Sequence, residues 1–141
     1  MMHTLDELVT ALKTTLDTYY QAQDAKLQVY EYVPGQISAP CVIVEPSEGE
    51  YHQTYGEAPT QHTLAVHAIV SMGERFASQM ILMPMISATG PRSIKAAVAS
   101  DPRLGLGGTV YADAQRYRDF GTRRYNEVDY LMATVEVAIL G

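Results

Sequence analysis

From Tyr130 to Leu140 the chain reads YLMATVEVAIL, with Leu131, Ala133, Val135, Val137 and Ile139 apolar at every second position and Met132, Thr134, Glu136 and Ala138 between them. A period of two sends the two sets to opposite faces of an extended strand. A strand cannot bury its apolar face alone, so the segment demands a sheet. HTLAVHAIVS repeats the demand: Leu64, Val66, Ala68 and Val70 make one apolar face, with His62 at its start, while Thr63, Ala65, His67 and Ser71 make a milder one. Val110 to Arg118 reads as a third strand. Two shorter runs, LQVYEYV ending at Pro34-Gly35 and CVIVE between Pro40 and Pro46, read as a pair of strands joined by a turn.

Helical spacing occupies the remainder. Leu5, Leu8, Val9, Leu12, Leu16 and Tyr19 predict an amphipathic helix from Leu5 to about Gln23, opened by a capping box of Thr4 and Glu7. Glu74 to about Thr89 predicts a second helix, with Phe76, Met80, Met83 and Ser87 on one stripe. Pro84 should kink or break it near Met83, because proline offers no amide hydrogen. A short third helix follows, with Pro91 at its first position, Ile94, Ala97 and Val98 on one face, and Asp101-Pro102 as its stop. The order α-β-β-β-α-α-β-β predicts an α+β fold: a mixed or antiparallel sheet of about five strands, with the N-terminal helix and two central helices packed on it. No repeat or composition shift divides the chain, so residues 1–141 are expected to form a single domain.

Several chemistries lack their pattern. The glycines at 105, 107 and 108 follow a helix and precede a strand, the reverse of a phosphate-gripping loop, and read as a left-handed helix exit and turn. His62 and His67 are five apart on a strand and point to opposite faces. With no cysteine pair and no H-E-x-x-H, no metal site is expected. Glu45, Glu48, Glu50 and Glu57 read as solvated loop carboxylates, and no G-x-S-x-G elbow marks a nucleophile. No catalytic residue and no cofactor is therefore expected. Cys41, the one cysteine, reads as a small buried side chain. The formal net charge of −6 argues against a surface that clings to nucleic acid. No apolar window has the length of a membrane span, and the start carries no basic, apolar leader, so a soluble protein made in a cytoplasm is expected.

Three stretches point to contacts instead. Residues 47–60, with Gly49, Gly56 and Pro59 and few aliphatics, predict an exposed loop or protruding hairpin carrying Glu48, Glu50, Tyr51 and Tyr55. YADAQRYRDFGTRRYNEVDY sets Arg116, Arg118, Arg123 and Arg124 among Asp113, Asp119, Glu127 and Asp129, which predicts a solvated or subunit-facing hairpin laced by ion pairs, with turn residues at Gly121 and Asn126. MILMPMI, residues 80–86, overfills the single stripe that a helix on one sheet requires. Its surplus, Met80 and Met83 among it, is either deep core or a subunit interface.

TGPRSIKAAVASDPRLGLGGTV, the following strand with Tyr117 and a Gly121 turn, and the closing YLMATVEVAIL together resemble the tail-terminator proteins of long-tailed, siphovirus-type bacteriophages. The more specific likeness lies in the C-terminal part, and the order of elements agrees over nearly the whole chain. The resemblance implies a structural virion protein of the neck: a homo-oligomeric ring, typically of six copies, on the head-proximal end of the tail tube. Such a ring stops tube growth and joins the tail to the head-closure or connector protein, and genomic DNA passes through its lumen without specific binding. Assembly in the host cytoplasm, no membrane and no enzymatic activity go with it. Two alternatives remain from the sequence: another head-tail joining or minor tail protein, and a small ligand-binding domain or enzyme.

Overall fold

The structure, a computed structural model, describes residues 4–50, 61–107 and 110–140. It has the expected α+β architecture. Its helices are α1 (Leu5–Ala22), α2 (Arg75–Ile86) and α3 (Ile94–Ser100), and its strands are β1 (Gln28–Tyr30), β2 (Cys41–Glu50), β3 (Gln61–Ser71), β4 (Tyr111–Tyr125) and β5 (Val128–Leu140). The strands form one sheet in the order β1-β2-β3-β5-β4. Only β1 pairs in parallel, with β2, and the other neighbours are antiparallel.

Register divides the sheet into two faces. Val42, Val44, Leu64, Val66, Ala68, Val70, Leu131, Ala133, Val135 and Val137 share a core with the buried sides of the helices, including Leu8, Leu12 and Leu16 of α1. Thr4 caps α1 as expected, its hydroxyl accepting from the Glu7 amide. The Tyr19 hydroxyl donates to the Gly90 carbonyl at 3.0 Å and ties α1 to the connection between α2 and α3. The opposite face holds a second, smaller cluster of Cys41, Ile43, Ile69 and Met132, sealed by Tyr30, Ile37, Tyr125 and Tyr130. The milder side of β3 is thus partly covered too, with Ala65 and Ile69 buried.

Three local expectations are corrected. Helix α2 continues through Pro84 to Ile86 instead of breaking near Met83. Proline there forfeits one bond, to the carbonyl of Met80, and only the last turn of the helix lies beyond it. Pro91 lies in the turn before α3, and the cap is Ser93, whose hydroxyl accepts from the Ala96 amide at 3.0 Å. The strands on either side of residues 119–129 run on into one hairpin, closed by Asn126 and Glu127 at φ 47° and 65°. Gly121 sits not at a turn but beside the second of two bulges in β4. A bulge lets a strand absorb an extra residue without ending. Gly105 and Gly107, at φ 72° and 68°, take the left-handed conformation expected of the α3 exit, and Gly108 lies outside the described residues.

Candidate functional site

On the face away from the helices, a polar row crosses the sheet. His67 of β3 stands opposite Thr134 of β5, which in turn stands opposite Arg118 of β4. His67 Nδ1 lies 2.8 Å from Thr134 Oγ1, and its Nε2 lies 3.0 Å from Glu45 Oε2 of β2. A carboxylate only accepts, so Nε2 carries the proton and Nδ1 accepts from the threonine hydroxyl. Burial pushes the imidazole pKa down. The hydrogen bond and charge of Glu45 oppose that effect, and the charges of Arg123 and Arg118 reinforce it. Hydroxyl, imidazole and carboxylate in line have the makings of a nucleophile and its base. Thr134, however, has no exposed surface, so its oxygen cannot meet a substrate where it stands. The line serves as a pin through three strands.

Beside it, Glu136 binds two arginines. Arg116 Nε reaches Oε2 at 2.7 Å and its Nη2 reaches Oε1 at 3.2 Å, while Arg118 Nε reaches Oε1 at 2.7 Å. These two cations hold the Glu136 carboxyl below the ordinary carboxylate range. Arg118 also pairs with Asp119, and Arg124 with Asp129 at 3.7 Å. The ion-paired hairpin expected from the charge pattern is present. Its central carboxylate, Glu136, was visible in the sequence only as one member of an alternating strand.

The expected contact residues fall into three places. Glu48 and Glu50 stand opposite Thr63 and Gln61 where β2 gives way to β3, and Tyr51 and Tyr55 lie outside the described residues. Arg116 and Arg118 meet on Glu136, whereas Arg123 and Arg124 lie near the hairpin tip, opposite Tyr130 and Asp129. Because Gln61 pairs with Leu140 and Ser71 with Tyr130, the β2–β3 end and the tip occupy opposite ends of the sheet. At about 3.3 Å per residue along β5, they stand about 40 Å apart. The tip is braced: Asn126 Nδ2 donates to the Gly35 carbonyl at 2.7 Å, fixing the hairpin to the connection between β1 and β2.

Met80 and Met83 form the third place. Helix α2 turns Ser78, Leu82 and Met85 inward and leaves Phe76, Met80, Ile81 and Met83 exposed. The stripe of Phe76, Met80, Met83 and Ser87 therefore faces solvent, and the surplus of MILMPMI is surface rather than deep core. Met83 also lines a groove of about 680 Å³ between the end of α2 and β4, together with Ile86, Lys95, Tyr117 and Val135.

Among the described residues, no group of three or more His, Cys, Asp or Glu is placed to hold a metal ion, and no helix is long and apolar enough to cross a membrane. No protein-family model matches the chain, and no curated protein matches it at a significant level.

Proposed function

We propose that this chain is a structural virion protein, a tail terminator. In this reading copies form a ring of about six on the head-proximal end of the tail tube, end tube growth and join the tail to the head connector. The observation that carries it is that the β2–β3 end and the hairpin tip, where the expected contact residues lie, stand at opposite ends of one continuous sheet. Such a subunit can meet the tube with one end and the connector with the other. Long strands held by the His67 pin and the Glu136 arginine fork keep the distance between those ends fixed, as a spacer between two partners requires. The sequence resemblance supplies the identity of the partners, and a net charge of −6 suits a wall past which DNA moves without sticking.

The test is genetic. A phage lacking this protein is expected to yield tails of uncontrolled length and unjoined heads in electron micrographs, and normal particles would overturn the reading. Complementation with Arg123→Glu and Arg124→Glu together examines the braced tip: both side chains are exposed, so the variant should fold with an unchanged circular dichroism spectrum yet give few joined particles. Wild-type particle yield would remove the tip from the contact.

A further inference from the structure

We infer that the exposed face of α2 is a docking surface for a second copy of this chain, the two helices packing against each other across a two-fold axis that passes near Met80. This pairing does not depend on the ring and is a separate contact.

Three observations select the occupant. The first is chemistry: from Phe76 to Pro91 the chain carries no Asp, Glu, Lys, Arg or His. A chain of net charge −6 repels its copy, and an uncharged face is where two copies approach with least opposition. The second is area. Phe76 is 66% exposed, Met80 53% and Met83 47%, and Tyr117 is exposed beside Met83. Together these four offer about 450 Å² per copy, so two copies bury about 900 Å² before any rim is counted, and the rim brings this to the roughly 1,000 Å² of a specific interface. The third is spacing. Phe76, Met80 and Met83 stand at i, i+4 and i+7, so in an antiparallel pair each Phe76 meets the other copy's Met83 while the Met80 side chains meet at the axis. Methionine is flexible enough to fill such a seam, and the groove beside Met83 and Tyr117 accepts what projects past it.

Only a two-fold contact brings Met80 to Met80, so a disulfide tests it. Met80→Cys should give a covalent dimer under mild oxidation, whereas Thr14→Cys on the exposed side of α1 should not. Native Cys41 does not compete, because burial pushes its thiol pKa to about 11. In native mass spectrometry and sedimentation over a concentration series, the wild type should associate. Met80→Glu should raise the dissociation constant at least about tenfold with an unchanged urea midpoint, since a charge at the axis meets its own image. A wild type that is monomeric throughout, or equal cross-linking at both cysteine positions, would overturn the inference. A closed ring of six in which Met80→Cys stays reduced would overturn it while leaving the ring reading intact, and a cross-linked dimer that never closes into a ring would support it at the ring reading's expense.

Discussion

His67 is partly buried among charges, and its proton inventory follows from what surrounds it. Glu45 of β2, Thr134 of β5 and the charges of Arg118 and Arg123 on β4 all bear on the ring, and burial outweighs the pull of Glu45. The folded-state pKa is therefore below the value of about 6.5 that an unfolded chain would show. As pH falls through about 6.5, the unfolded chain takes up a proton that the folded protein refuses, so stability is complete above that pH and declines below it. Urea unfolding of the wild type and of His67→Gln between about pH 7.5 and pH 5 should show the wild type's advantage shrinking by at most about 1.4 kcal/mol per pH unit. An advantage independent of pH would mean that the ring titrates freely. Thr134→Val should cost about 1–3 kcal/mol at neutral pH, because Nδ1 then has no donor, and combining it with His67→Leu should recover part of that loss. The double-mutant cycle separates a hydrogen-bonded pin from mere packing.

At the scale of elements, one serine couples two helices. Ser93 is fully buried, caps α3 through the Ala96 amide and donates its own hydrogen to the Ser87 carbonyl just past the end of α2. Ser93→Ala removes both bonds and should lower the unfolding free energy by about 1–2 kcal/mol in urea titration; a loss near zero would mean that water replaces the hydroxyl. The Ser93 cap was missed because Pro91 read as the first helical position, whereas the α1 cap and the periodic elements were legible in the sequence. Thr4 opening α1, the alternation in β3 and β5 and the stop at Asp101 follow from local rules. Other features depend on tertiary pairing that a sequence does not display. The long β4 is polar because it is an edge strand, so its run through Asp119 to Tyr125 read as a separate hairpin with a turn at Gly121 and not as the continuation of one strand. The stripe on α2 was recognisable as a stripe, but Leu82 and Met85 rather than Phe76 and Met80 face the core. Helical period names a face without saying which side the sheet lies on. The His67 pin joins residues 22 and 67 positions apart, and only register brings them together.

At the scale of the whole molecule, salt separates the proposed α2 contact from any association of copies through the hairpin tip, because the two would respond oppositely. Sixteen acidic residues face ten basic ones, so copies repel at long range, and the screening length contracts from about 10 Å at 0.1 M to about 3 Å at 1 M. A contact through the uncharged face of α2 loses repulsion and nothing else when salt is added. A copy-to-copy contact through the tip would instead rest on attraction between Arg123 and Arg124 and the acidic surface of a neighbour, and would lose that attraction. Sedimentation equilibrium from about 0.05 M to about 0.5 M sodium chloride should therefore show the dissociation constant of the free protein falling several-fold. If it rises instead, charged pairs dominate copy-to-copy contact, the tip becomes the principal seam, and Met80→Glu should then leave assembly unaffected. Measured in both the wild type and the Arg123→Glu, Arg124→Glu variant, the sign of the salt response assigns the association to one surface or the other, because only the tip contact changes sign when its two arginines are reversed.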